Sequence, residues 1–180
     1  VYQSILDGNA DEDALMAERF GLCGRGKVTA IGNGVSSERF HPPLSVSDKA
    51  LQRQALGIKP QACVIIIVAR LVVEKGYKEL LAAMRNLDAE LWIVGERLAS
   101  DHDKNIGRDM EAVLRDPSVS QRTKFLGQRD DVPELLRAAD IFVLPSISEG
   151  TPRVIGEAMA FALPIISTTA GGIPDLIKHG

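Results

Sequence analysis

Residues 140–169 read DIFVLPSISEGTPRVIGEAMAFALPIISTT, and their pattern decides the fold. An apolar run at 141–144 is followed by a Pro-Ser turn, then by Glu149 and Gly150. Thr151 and Pro152 read as a helix start, a hydroxyl N-cap with proline at the first helical position. Val154, Ile155, Ala158, Met159 and Ala162 recur at helical spacing, and Pro164 stops the helix before a second apolar strand. The stretch is therefore a strand, a loop, a helix and a strand, with Glu149 at the helix mouth and Glu157 eight residues later.

A helix N-terminus offers free N–H groups and about half a positive charge, which suits a diphosphate. A carboxylate there is drawn to the same N–H groups and repels that anion. If Glu149 turns instead toward neutral hydroxyls, it can accept from a sugar beside the phosphate, and Glu157 from a second hydroxyl pair such as those of a ribose. Gly156 costs roughly 1 kcal/mol in a helix interior, so close packing or a ligand explains it. The alternative is an ordinary surface helix in which Arg153 and Glu157 form an i,i+4 pair.

Outward from this stretch the same alternation continues. Residues 64–69 form a continuous β-branched apolar run, the mark of a strand buried on both faces of a parallel sheet. A helix follows with Tyr77, Leu80, Leu81, Met84 and Leu87 on one side. Residues 91–94 and 123–126 read as strands, with helical stripes between and after them: Ile106, Met110, Val113 and Leu114, then Val132, Leu135, Leu136 and Ala139. A last helix starts at 173–178. This order implies an α/β fold with a doubly wound, Rossmann-like parallel sheet and right-handed crossovers.

Toward the N-terminus, residues 1–25 hold one helix candidate with Ala14, Leu15, Ala17, Phe20 and Leu22 on its apolar side. Residues 27–31 read as a strand, Gly32-Asn33-Gly34 as a turn, the stretch from His41 to Asp48 as a linker, and 49–56 as a short helix ending at Gly57. A domain boundary is expected near residue 45: residues 1–45 as the tail of an N-terminal domain and hinge, residues 46–180 as a nucleotide-binding domain. The chain starts at Val1 and stops at Gly180 after a helix-like segment, as expected of a piece of something longer.

Composition narrows the class. Of 180 residues, 45% are apolar and 25% charged, the balance of a globular protein, and the net charge of −3 gives no footprint for nucleic acid. Two cysteines, Cys23 and Cys63, make no disulfide framework, and Cys63 reads as a reduced core thiol. No apolar run approaches the roughly 20 residues that span a bilayer, and no signal peptide is visible, so a cytoplasmic location is expected.

In a doubly wound sheet, ligands bind where strand C-termini open into loops. Arg70, Lys75 and Gly76 follow the first strand, Gly95 the second, Gly127 and Gln128 the third, Glu149 and Gly150 the fourth, Gly171 and Gly172 the fifth. Arg70 and Lys75 share one loop, where two cations can neutralise a diphosphate and its growing charge as a bond to it breaks. Residues 21–27 fit G-x-x-x-x-G-K, but Val28 stands where Ser or Thr binds magnesium and the strand follows the motif, so the P-loop reading is rejected.

Together these residues resemble a known family. E-G-T-P-R-V-I-G-E-A-M-A resembles the E-x7-E element of retaining GT-B glycosyltransferases, family 4, the "group 1" transferases. Gly32-Asn33-Gly34-Val35 with Phe40, Ala69-Arg70-Leu71 through Glu74-Lys75-Gly76, Phe125-Leu126-Gly127, and Gly171-Gly172-Ile173-Pro174-Asp175 agree in order and spacing. The resemblance implies the C-terminal, donor-binding half of such an enzyme, truncated at both ends. Arg70 and Lys75 would hold the diphosphate of a nucleotide-sugar donor, aided by N–H groups around Gly150, Thr151, Pro152 and Arg153. Glu149 would bind sugar hydroxyls and Glu157 the ribose, with Gly95 and Gln128 lining the donor site. No cofactor, metal or protein nucleophile is implied. Asp101-His102-Asp103 matches a D-x-D metal–nucleotide motif, but Asp103 is better read as an N-cap.

Ala69 and Ala162 depart from the family pattern, each standing where glycine is usual. The acceptor would be bound by the missing N-terminal domain, and peripheral membrane association, if any, would also reside there. The fragment alone is expected to bind donor weakly and transfer nothing. Two other readings share the architecture: a nucleotide-sugar epimerase and a non-catalytic sugar-nucleotide-binding module. A dehydrogenase-like sheet is disfavoured because G-x-G-x-x-G is absent.

Overall fold

The computed structural model describes residues 11–28, 34–97 and 106–178. Five strands, β1 Val64–Val68, β2 Glu90–Val94, β3 Thr123–Gly127, β4 Ile141–Leu144 and β5 Ile165–Ser167, form one parallel sheet in the order β3-β2-β1-β4-β5. The central strands β1, β2 and β4 are buried almost throughout, whereas β3 and β5, at the edges, are partly exposed. The unbroken Val/Ile runs are thus central strands covered on both faces, each fully buried side chain contributing about 1.5–3 kcal/mol. The doubly wound parallel sheet expected from the sequence is the one observed.

The helices are α1 Asp11–Arg19, α2 Val46–Ala55, α3 Tyr77–Ala83, α4 Ile106–Leu114, α5 Pro117–Ser120, α6 Val132–Ala138, α7 Arg153–Ala160 and α8 Ile173–Leu176. Chain progression reverses direction at β1, so right-handed crossovers put α3 and α4 on one face and α6 and α7 on the other. Accordingly α3 packs on α4, and α2 on α6.

Several boundaries differ from the sequence reading. Leu15, Phe20 and Leu22 of the α1 region face solvent, whereas Ala17 is buried. The α2 helix begins at Val46, inside the expected linker, because the Ser45 hydroxyl accepts the Asp48 N–H at 3.1 Å. Leu87 is exposed, since α3 tightens into a 3-10 turn at Met84–Asn86 and the chain then extends. The short α5, capped by Asp116, was not expected at all. Helix α7 starts at Arg153, so Pro152 is the capping residue and Thr151 lies outside it. The last helix stops at Leu176. Lys27 and Val28 are not in a strand; the rest of 27–31, Gly32-Asn33 and Asp101-His102-Asp103 lie outside the described residues.

The edge of the sheet where the strands begin is fastened by charge. Asp140 accepts from Lys49 Nζ (2.9 Å), Arg53 (2.9 Å) and the Val64 N–H (2.9 Å). Lys49 and Arg53 also donate to the Ala139 and Ala138 carbonyls, and Arg53 reaches those of Lys59 and Ala62. Two cations of α2 are thereby bolted to the starts of β1 and β4.

Candidate active site

The opposite edge is where the chemistry gathers. Because β1 and β4 are neighbours at the point where strand order reverses, the ligand crevice of a doubly wound sheet is expected outside their C-terminal ends. The two exit loops are stitched together. The Ile147 N–H donates to the Glu74 carbonyl at 2.8 Å. Gly76, at φ +70°, leaves no room for a side chain: a Cβ would sit 2.1 Å from the Pro145 oxygen. The Tyr77 hydroxyl, fully buried, donates to the Ala69 carbonyl at 2.9 Å, and burial pushes its pKa well above the usual tyrosine range.

Across this seam Lys75 Nζ lies 2.6 Å from Glu149 Oε1, with the two side chains 16% and 8% exposed. Here the structure adds to the sequence reading, which gave Lys75 and Glu149 to separate parts of a ligand. The ammonium has three donors, so a bond to Glu149 leaves others for an incoming anion. The fully buried Ser146 hydroxyl donates to the same Oε1 at 2.6 Å, a partner that sequence reasoning missed. Its only sequence signal was the Pro-Ser turn directly after an apolar strand.

The third wall is the loop after β5. Gly171, at φ +54°, lies so close that a Cβ would meet the Glu149 carbonyl at 1.8 Å, and the Gly172 N–H donates to the Gly150 carbonyl at 2.8 Å. Thr168 Oγ1 donates to the Ser146 carbonyl at 2.5 Å and Ser167 Oγ to that of Leu144 at 2.7 Å. Pro152 brings no side-chain cap to α7, so this helix presents its first turn to the crevice without a capping side chain.

Other expected residues take different places. Arg70 is exposed on the β1 exit loop. Gly95, at φ +125°, lies against β1, where a Cβ would come 2.1 Å from the Ala69 oxygen; backbone contact accounts for this glycine. Gln128 is exposed at the end of β3, two strands from β1 and so about 10 Å to the side. Glu157 is half-buried on α7. Burial pushes its carboxyl above the usual glutamate value, against the pull of Arg153 and Arg39. Next to it, Gly156 packs against Val35, 3.0 Å from where a Cβ would be, so close packing explains this helix-interior glycine.

A cavity of about 1200 Å³ opens at the other edge, lined by Lys49, Arg53, Cys63 and Asp140 among others. Lys49, Arg53 and Asp140 are already spent on one another and on carbonyls. Burial, then the Asp140 carboxylate, push the Cys63 thiol up, away from reactivity. Strand order and the Lys75–Glu149 pair place the candidate site at the C-terminal edge instead.

The sequence profile of the family "Glycosyl transferases group 1" matches residues 62–180, which include the whole sheet and all three walls. The chain belongs to the group 1 glycosyltransferases. This glycosyltransferase chain is 34% identical over 161 residues to the UDP-Gal:alpha-D-GlcNAc-diphosphoundecaprenol alpha-1,3-galactosyltransferase of Escherichia coli, covering 85% of the chain and 39% of that relative. It is also 34% identical over 161 residues to a GDP-mannose-dependent mannosyltransferase acting on monoacylated phosphatidylinositol monomannoside from Corynebacterium glutamicum, covering 82% and 40%. Among solved structures it resembles Anabaena HepE in complex with UDP-glucose, with a TM-score of 0.80 and 28% identity over 96% of the chain and 46% of HepE. The chain thus spans about two fifths of the length of these curated relatives.

Proposed function

We propose that this chain is the donor-binding part of a retaining glycosyltransferase that moves a sugar from a nucleotide-diphosphate donor to an acceptor held by a further, N-terminal domain, with residues 1–45 as its tail and hinge. The observation that carries this reading is the convergence of Lys75 and Glu149, from two different loops, at the crevice where strand order reverses. Lys75, with Arg70 on the same loop and the mouth of α7 at Gly150, Thr151, Pro152 and Arg153, suits a diphosphate. Glu149 accepts from donor-sugar hydroxyls and Glu157 from those of the ribose. The relatives' names support a nucleotide-sugar donor: one takes UDP-Gal, another GDP-mannose, and HepE was solved with UDP-glucose.

In this reading the bond between the sugar C1 and the leaving phosphate oxygen breaks as C1 joins the acceptor oxygen on the same face. The acceptor's proton passes to the departing phosphate, whose developing charge Lys75 and Arg70 stabilise. No metal and no protein nucleophile takes part.

A thermal-shift screen of the chain with UDP-glucose, GDP-mannose and ADP-glucose tests donor binding. Ligand at a hundredfold excess over its Kd adds about 2.7 kcal/mol of stability. A clear rise in Tm with at least one is expected, and no rise with any would end the reading. In the protein with both domains, Glu149→Ala is expected to lose turnover far more than nucleotide affinity. Unchanged turnover would favour a binding module.

A further inference from the structure

Ser146 has no role in the reaction just described, yet it is closely held. Its residue is wholly buried and its backbone is pinned from three sides. Pro145, before it, faces Gly76 at a distance no side chain would permit. Ile147, after it, donates its N–H to the Glu74 carbonyl at 2.8 Å. Its own carbonyl accepts from Thr168 Oγ1 at 2.5 Å. With the backbone fixed, the hydroxyl retains one torsion, and it donates to Glu149 Oε1 at 2.6 Å.

Lys75 holds the same oxygen, but through a long side chain of four torsions whose charge a diphosphate would compete for. Ser146 carries no charge, and its hydroxyl is already committed to Glu149, so a diphosphate competes for it less than for Lys75. When an anion draws Lys75 aside, the serine hydroxyl still fastens Oε1. Both observed bonds fall on Oε1, which leaves Oε2 as the oxygen to offer a ligand.

We infer that Ser146 is a positioning residue that locks the Glu149 carboxylate for the donor-sugar hydroxyls, so that this serine governs how much the sugar, as distinct from the nucleotide, contributes to binding. The inference rests on the donor-site reading of Glu149 given above.

The test is titration calorimetry on the chain with three pairs of probes: UDP with UDP-glucose, GDP with GDP-mannose, and ADP with ADP-glucose. In the parent, at least one sugar nucleotide is expected to bind more tightly than its nucleoside diphosphate. Ser146→Ala is expected to weaken that sugar nucleotide about tenfold, as for loss of a hydrogen bond to a charged group, while leaving the nucleoside diphosphate unchanged. In a Glu149→Ala background the same change is expected to cost nothing further. Equal weakening of both members of the pair, or losses that simply add to those of Glu149→Ala, would show a structural role and overturn the inference while leaving the donor site standing. A parent that prefers no sugar nucleotide overturns both. Should Ser146→Ala fail to fold, Thr168→Val cuts the tether to the Ser146 carbonyl and leaves the hydroxyl in place. A loss of about two- to threefold, confined to the sugar nucleotide, is then expected. An equal loss for both ligands, or none for either, overturns the inference.

Discussion

Glu157 shows how one residue of a site weighs on the fold. Burial, only partly offset by Arg153 and Arg39, sets its folded-state pKa above its unfolded value. An acid raised in this way is held best when neutral. Stability therefore falls as pH rises through the interval between the two values, and the loss persists at neutral pH. Glu157→Gln, neutral throughout, is expected to melt above the parent at neutral pH, with the two converging as pH drops below the ordinary value of 4.5. Melting curves across that range decide the matter; a parent more stable than the variant at neutral pH would contradict it. Ala162 offers a second single-residue case. It is exposed and holds φ +54° at the end of α7, where Ala162 N–H bonds to the Met159 carbonyl at 2.8 Å and Leu163 N–H to that of Ala158 at 3.3 Å. These two bonds form a Schellman ending, and its left-handed position favours glycine. Ala162→Gly is expected to stabilise the chain by about 1 kcal/mol, read as a higher urea midpoint at unchanged slope.

Among elements, α2 has the most to lose. Beside carbonyl bonds and packing on α6, its hold on the sheet includes one carboxylate, Asp140, paired with Lys49 and Arg53. Burial pushes this acid up, but the Val64 N–H, Lys49 and Arg53 together bring it below the ordinary value of 3.8. A depressed acid stabilises the fold above its unfolded pKa, and that contribution vanishes as pH falls through the folded one. Asp140→Asn is therefore expected to lower stability at neutral pH and to flatten the acid limb of the stability curve below about pH 4, since the lost term no longer titrates. Parallel acid limbs in parent and variant would refute this. Removing one partner also leaves Arg53, itself buried, with an uncompensated charge, so the neutral-pH loss is expected to exceed that of an exposed ion pair.

At the scale of the molecule, what could be read in advance was whatever period and propensity encode. The unbroken runs at Val64–Val68 and Ile141–Leu144 announced buried parallel strands, and strand–helix alternation announced the doubly wound sheet. The edge that carries the candidate site followed from the fold. Partnerships across the sequence were not legible: Lys75 and Glu149 stand 74 positions apart, and no local pattern shows that their loops meet. Ser146 hid for the same reason, since burial of a lone serine is a tertiary fact. The α1 helix failed in the opposite direction: its apolar stripe is real, but Leu15 is left 66% exposed.

The walls of the crevice are made of main chain meeting main chain. At Gly76, Gly95 and Gly171 a single methyl group would drive into the carbonyl of Pro145, Ala69 or Glu149. Saturation mutagenesis of this protein should therefore register severe losses at glycines whose intolerance comes from backbone packing. A map of intolerance would trace the mould and leave its casting blank, and anyone hunting for ligand contacts in such data should subtract these glycines first.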